Sequence, residues 1–355
     1  FFTYFDNKMV TMKNPDPENF FKLARYQDKN ADGSVRCLLC PHVCLLHESE
    51  TGLCHVRKNM SGTLYTMAYG NPCTVSLDPI EKKPLFHFHP GENILSLAIA
   101  GCNFHCSNCQ NWQISQSSPE DLPHYRLKPQ EIIDTALSKS SRLIAFTYTE
   151  PTIFYEYMYD IAVLAHQKEI KTVMVSNGYI NHEPLLDLCP YLDAANIDLK
   201  CFDNASYKKL TTGSLHPVLQ TLKTLKEQNI WLEITSLLIP DYNDSSEMIG
   251  KMCSWLAENG FSDTPLHFSR FFPTYQLIDR PPTSEKSLQE AKNIAEYAGI
   301  KYVYIGNLQH AQGENTFCPN CHNLLVERQG FNVIKNLITK GKCNVCGEAI
   351  VGAWE

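Results

Sequence analysis

No long hydrophobic run occurs in this chain, whose most apolar stretch, Ile94 to Ala100, is far short of the roughly 20 residues a bilayer-spanning helix needs. Nothing at the N-terminus reads as a signal peptide, because Asp6, Asn7 and Lys8 interrupt its apolar residues and no small-residue cleavage site follows. Basic charge is scarce as well. With 31 Lys and Arg against 38 Asp and Glu, the net charge of -7 argues against a general phosphate-binding surface and disfavours nucleic acid as a partner. Repeats of 20 to 50 residues and low-complexity tracts are also missing, which argues against a solenoid or a disordered array. These absences predict a soluble, cytoplasmic protein with no membrane partner.

What is present is a large apolar fraction and many cysteines. At 355 residues with 43% hydrophobic and 11% aromatic content, the chain can bury one large core and still carry smaller modules. Its 15 cysteines, in a reducing compartment, are expected as thiols, metal ligands or redox groups rather than disulfides. Eleven of them fall into three local clusters. The other four, Cys73, Cys189, Cys201 and Cys253, read as small buried hydrophobes.

Between the outer cysteine clusters, short β-branched or aromatic runs alternate with helical patterns. Strands are expected at Asn93 to Ala100, Leu143 to Thr149, Thr172 to Ser176, Ala195 to Leu199, Trp231 to Ile239, Leu266 to Phe271 and Tyr302 to Ile305. Helices are expected at Pro129 to Ser138, Ile153 to Lys168, His216 to Gln228, Ser246 to Asn259 and Ser284 to Ala298. Such alternation implies an α/β fold with a parallel sheet closed, or partly closed, into a short barrel of about six or seven strands. The expected organisation is an N-terminal lead (1–30), a Cys-rich N-terminal module (31–92), a core barrel (93–312) and a C-terminal four-cysteine, zinc-ribbon-like module (313–355). The charged, Pro-containing run from Asp78 to Phe88 reads as a loop crossing the surface. Its neighbours His87 and His89 read as a packed and solvated pair, or alternatively as residues at the substrate side of the barrel mouth.

The chemistry concentrates directly after the first barrel strand, where Cys102, Cys106 and Cys109 stand at CxxxCxxC spacing. Three thiolates can bind three irons of a [4Fe–4S] cube and leave the fourth without a protein ligand. S-adenosylmethionine (SAM) can chelate that iron through its amino and carboxylate groups. Zinc is the bland alternative, but three cysteines leave a tetrahedral ion one ligand short unless His105 or a distant residue completes it. Loops at the C-terminal ends of barrel strands are also where this architecture places reactive groups.

The loop, the segment Asn196-Ile197-Asp198-Leu199-Lys200, the strand end Val175-Ser176-Asn177-Gly178 and Tyr302-Val303-Tyr304-Ile305-Gly306-Asn307 together resemble the pyruvate formate-lyase activating enzymes of the radical SAM superfamily. The run Asp78 to Phe88, the segment His267 to Pro273 and the terminal paired cysteines are similar to the branch named for the AmmeMemoRadiSam system, over nearly the whole chain from Asp32 onward. This resemblance implies a partial (β/α)6-type radical SAM barrel that reductively cleaves SAM and abstracts hydrogen from an unidentified substrate. It implies Glu150 as acceptor for the SAM ammonium, with Tyr148 and Thr149 standing where the family has two glycines. Ser176 and Asn177 would reach SAM polar groups, and Asp198 and Lys200 would serve its carboxylate or a neighbouring cation. Phe104 would pack near the adenine. Each has a bland alternative: Glu150 capping the helix after Pro151, Asp198 and Lys200 as a solvated strand-end pair, and Trp112 as core or cofactor wall. Implied partners are a reductant such as flavodoxin or ferredoxin, a protein or small-molecule substrate, and the family's partner proteins.

Two cysteine groups flank this core. Cys318-x2-Cys321 and Cys343-x2-Cys346 form two knuckles that can close a four-thiolate site, expected to hold structural zinc, with rubredoxin-like iron or a further Fe–S cluster as alternatives. Such a site contributes on the order of 10 kcal/mol to folding in zinc-finger peptides. The N-terminal group, Cys37, Cys40, Cys44 and Cys54, suits zinc or an auxiliary [4Fe–4S] cluster, with His42, His47 and His55 as substitute ligands. The competing functions are a glycyl-radical-enzyme activase and, from a different class, a non-catalytic Fe–S or zinc protein that carries electrons or binds partners.

Overall fold

The computed structural model describes residues 21–308 and 312–354, so most of the predicted N-terminal lead lies outside the described residues. The chain divides into two compact units, each assembled from discontinuous segments. Among the described residues, no helix is long and apolar enough to cross a membrane.

The first unit comprises residues 1–78, 93–193 and 217–230. Its sheet runs in chain order through strands Thr74–Pro79, Asn93–Ala98, Leu143–Phe146 and Lys171–Ser176. Leu95 pairs with Ile144 and Ile144 with Thr172, both in parallel. The strand Leu143–Phe146 is a continuous apolar run that is covered on both faces, with every residue buried. The connecting helix Pro129–Ser138 has the expected bounds, with Pro129 in its opening turn, where the missing N–H costs nothing, while Tyr155–His166 starts two residues later than expected. Two small antiparallel sheets fill the N-terminal part, one of Lys22–Leu23, Arg57–Met60 and Thr63–Thr66, the other of Gln27–Lys29, Val35–Cys37 and Leu45–Leu46.

The second unit comprises residues 79–92, 194–216 and 231–355. Here Ala194–Asp198, Trp231–Leu238, Leu266–Arg270 and Val303–Gly306 follow one another as parallel neighbours, with Ile234 opposite both Ile197 and Leu266. Helices Ser246–Glu258 and Glu285–Tyr297 are each capped by the serine before them, Ser245 and Ser284, which accept from the N–H groups of Met248 and Ser287. The C-terminal strands Thr316–Phe317, Leu324–Gln329 and Asn332–Asn336 form an antiparallel sheet. The core of this tail is shared: Cys318, Leu325, Val326, Cys343 and Ile350 pack with Phe86, Tyr302 and Tyr304.

The run from Asp78 to Phe88 departs from its expected place on the surface. Glu81, Lys83, Leu85, Phe86, His87 and Phe88 are all buried. Composition misleads here because the charges have internal partners. Arg328 lies 3.6 Å from Glu81, and the Glu233 carboxylate accepts from the backbone N–H groups of Phe86 (3.0 Å) and His87 (2.7 Å). His87 is a packed core histidine whose Nδ1 donates to the Val351 carbonyl at 2.7 Å, with its ring among Trp231, Tyr302, Tyr304 and Trp354. Burial holds it neutral, lowering its pKa to about 4.

Candidate functional site: the cysteine loop and its buried carboxylate

Parallel strands bring their C-terminal ends to one edge of a sheet. In the first unit that edge collects three segments: the loop after Ala98, the turn from Thr147 to Glu150 and the strand end Ser176-Asn177. The loop starts at Gly101, whose φ of +110° suits glycine and whose N–H donates to Ile114 O at 2.9 Å. A Cβ at this point would stand 2.6 Å from both the Cys54 carbonyl oxygen and Val56 Cγ2. The three loop thiols are each partly buried. Cys102 Sγ accepts from Phe104 N at 3.3 Å and faces Asn177 Nδ2 at 4.0 Å, while Cys109 Sγ lies 3.2 Å from Ser115 Oγ. Burial, and next the neighbouring Glu150 charge, push the Cys102 thiol well above its ordinary pKa, so a bound cation is needed to hold it as thiolate.

Glu150 is buried and held by four donors. Its Oε1 accepts from Thr152 N (3.0 Å), Thr152 Oγ1 (2.7 Å) and Ser176 Oγ (2.7 Å), and its Oε2 accepts from Asn177 N (2.8 Å). The carboxylate therefore caps the short helix Pro151–Phe154, as the bland alternative has it. One lone pair of Oε2 remains beyond those donors. Burial raises the Glu150 pKa, and the hydrogen bonds oppose that rise.

Asn177 links this carboxylate to the loop: its backbone N–H donates to Glu150, while its side chain donates to Asn103 Oδ1 at 2.8 Å and accepts from Tyr179 N at 2.8 Å. Asn103 Nδ2 donates in turn to Tyr179 O at 2.8 Å. Cys102, Glu150, Ser176 and Asn177 thus belong to one buried network, with Phe104 beside it in ring contact with Tyr179 (centroids 4.9 Å) and His42 (6.5 Å). Trp112 is 39% exposed, which removes it from the core. Asp198 and Lys200 lie in the second unit and pair at 2.9 Å, partly exposed, at the end of Ala194–Asp198.

Sequence reasoning missed how several residues meet here. Tyr148, standing at a family glycine position, occupies the left-handed region with φ +65°, a conformation glycine favours, and its hydroxyl donates to Asp78. Asn111 Nδ2 holds the Tyr148 carbonyl at 2.8 Å, and His42 Nε2, read from sequence as a substitute metal ligand, instead donates to the Asn103 carbonyl at 2.7 Å.

In the C-terminal tail, the Sγ atoms of Cys318, Cys321, Cys343 and Cys346 all lie within 4.8 Å of one another. Cys318 and Cys346 are 3.6 Å apart, as are Cys321 and Cys343. Hydrogen bonds from Asn323 lower the Cys321 pKa to about 6, which favours the thiolate a metal requires. The geometry of this tetrad is one that could hold a metal ion.

A parallel α/β unit with a three-cysteine loop on its C-terminal edge defines an iron–sulfur enzyme class, and the sequence comparisons agree. Residues 97–253 match the family model described as Radical SAM superfamily, and the chain belongs to that superfamily. More particularly, it is 47% identical over 330 residues to Uncharacterized protein MJ0808 of Methanocaldococcus jannaschii, covering 92% of this chain and 98% of that one. It is 22% identical over 290 residues to the 4-hydroxyphenylacetate decarboxylase activating enzyme of Clostridioides difficile strain CD196, covering 76% and 88%. The crystal structure of a radical SAM methyltransferase from Sphaerobacter thermophilus shares the fold at a TM-score of 0.50 and 12% identity, over 83% of this chain and 81% of that one. The protein is accordingly an enzyme of the radical SAM type, with the iron–sulfur cluster and SAM that the family uses.

Proposed function

We propose that Cys102, Cys106 and Cys109 hold a site-open [4Fe–4S] cluster, and that Phe104, Glu150, Ser176 and Asn177 receive SAM beside it. The observation that carries this reading is the buried network joining Cys102 through Asn177 to the Glu150 carboxylate. When bound, the cluster supplies one electron to the SAM sulfonium, so that the C5′–S bond breaks to methionine and a 5′-deoxyadenosyl radical, which takes a hydrogen atom from substrate. The chain's own part is to bind, orient and exclude water. Glu150 Oε2, which accepts from Asn177 N, keeps one acceptor position for the SAM ammonium, and the Phe104 N–H favours the Cys102 sulfur in its charged, metal-bound form. Asp198 and Lys200 keep the role that the family resemblance implies, toward the SAM carboxylate or a neighbouring cation.

The electron must come from outside, and a flavodoxin or ferredoxin is the fitting class of donor. For the substrate, a backbone glycine of a partner protein is supported by the activating-enzyme relative. A small molecule is the second reading. In the tail we favour a single zinc ion: a tetrahedron with Zn–S near 2.3 Å has edges of about 3.8 Å, close to the two 3.6 Å sulfur pairs. A cube would hold four thiolates further apart, each on its own iron.

Anaerobic turnover tests the reading. Reduced enzyme with SAM should release 5′-deoxyadenosine, and with deuterated cell extract split by size, deuterium should enter it from the protein fraction. Label from the small-molecule fraction would favour the second reading. A preparation loaded with iron that yields no 5′-deoxyadenosine would instead be an electron carrier or binding module.

A further inference from the structure

We propose that Cys37, Cys40, Cys44 and Cys54 hold a second, auxiliary [4Fe–4S] cluster, in the pocket they line together, rather than a single zinc ion. All four line one pocket with Leu39, Gly52, Arg57, Thr152 and Ile153. The spacing of the sulfurs separates the two metals. A lone tetrahedral ion draws four thiolates to edges of about 3.8 Å, whereas a cube spreads them over four irons. Among the described residues, the C-terminal tetrad is the group whose sulfurs close to within 4.8 Å of one another. Neither the N-terminal four nor Cys102, Cys106 and Cys109 do so, and the latter set is the one whose family loads a cluster. The N-terminal sulfurs are therefore spread more widely than those of the tail, as thiolates on separate irons of a cube would be.

Charge supports an anionic occupant. Arg57 is 1% exposed, lines the pocket and donates from Nη1 to Cys37 Sγ at 3.6 Å. Its Nη2 pairs with the buried Glu156, while its Nε has no hydrogen-bond partner. A four-thiolate [4Fe–4S]2+ centre carries two negative charges, and a buried guanidinium with a spare N–H is a fitting neighbour for its sulfides. The site also abuts the SAM-binding loop. The Cys54 carbonyl packs against Gly101, His55 meets His105 with ring centroids 5.7 Å apart, and His42 Nε2 donates to Asn103 O.

Iron and acid-labile sulfide counts on the anaerobically reconstituted full chain test this assignment. Each cluster contributes about four irons and four sulfides, so wild type should hold about eight sulfides and the Cys102→Ala/Cys106→Ala/Cys109→Ala variant about four. That variant should keep a reduced-cluster EPR signal that does not move on adding SAM. The converse variant, Cys40→Ala/Cys54→Ala, should keep about four sulfides and the SAM-responsive signal. Wild type with about four sulfides and a second tightly held zinc would overturn the auxiliary cluster while leaving the SAM site intact. A loop variant that retains its sulfide, in a protein whose wild type shows no SAM response, would overturn the proposed function and leave the auxiliary cluster standing. Should either variant fail to fold, the wild-type sulfide count alone decides, because mononuclear iron or zinc in the tail adds none.

Discussion

At the scale of single residues, Glu150 serves two masters at once. It caps a helix and fastens a strand end through four donors, and it carries the one negative charge in the buried network beside Cys102. Glu150→Gln separates these duties. With its amide oxygen on the Oε1 side, where three donors converge, the variant turns its NH2 toward the Asn177 N–H, leaving two donors opposed. That mismatch should cost about 1–3 kcal/mol of stability. Loss of the charge-assisted bond to the SAM ammonium should cost another 1.5–3 kcal/mol or so of binding, roughly a 10- to 150-fold weaker affinity. Urea midpoints and SAM titrations of the reconstituted variant measure the two separately. Lowered stability with wild-type affinity would leave Glu150 as a cap alone.

Elements were legible where periodicity was strong and blurred where a single residue decides the backbone. All seven expected strands formed, with ends displaced by no more than three residues, because unbroken apolar runs such as Leu143–Phe146 bury on both faces. The short helices His182–Leu188 and Asn204–Thr211 were missed, being too brief to show a stripe; the second owes its start to Asp203, which accepts from Ala205 N and Ser206 N. Likewise the three thiols at CxxxCxxC announced the loop, whereas the partners that shape it from outside, His42, Tyr148 and Tyr179, are distant in sequence and meet it only in three dimensions. Gly101 belongs to this scale, since it lets the loop pass against Cys54 and Val56. Gly101→Ala should force a backbone shift at a φ that L residues rarely adopt, at a cost of about 1–3 kcal/mol. The shift falls one residue before Cys102, so SAM-responsive EPR intensity should drop more than far-UV circular dichroism. Unchanged cluster loading would mean the loop tolerates the displacement.

On the scale of the whole molecule, the C-terminal tail is a structural dependency of the second unit rather than an appendage. Cys318 and Cys343, two members of the proposed zinc tetrad, are also core residues packed with Phe86, Tyr302 and Tyr304, and Arg328 of the tail reaches Glu81 and the Phe86 carbonyl (2.6 Å). A metal that fixes four thiolates therefore also fixes one wall of a core that includes the strand Val303–Gly306. Structural zinc contributes on the order of 10 kcal/mol in isolated fingers, and part of that should appear here as stability of the surrounding unit. Full-length protein should carry about one tightly held zinc in addition to its iron. Cys321→Ser/Cys343→Ser should lose that zinc and lower the thermal midpoint by about 5 °C or more, since 1 kcal/mol moves domains of 150–250 residues by about 2–4 °C. Trp354 and Trp231, both near His87, should report the change in fluorescence. The loop cysteines lie in the other unit, so the SAM-responsive EPR signal should persist in this variant. A wild-type melting temperature in a zinc-free double variant would show that the tail's packing stands without metal, and iron in place of zinc at the same stoichiometry would mark the tetrad as a rubredoxin-like centre.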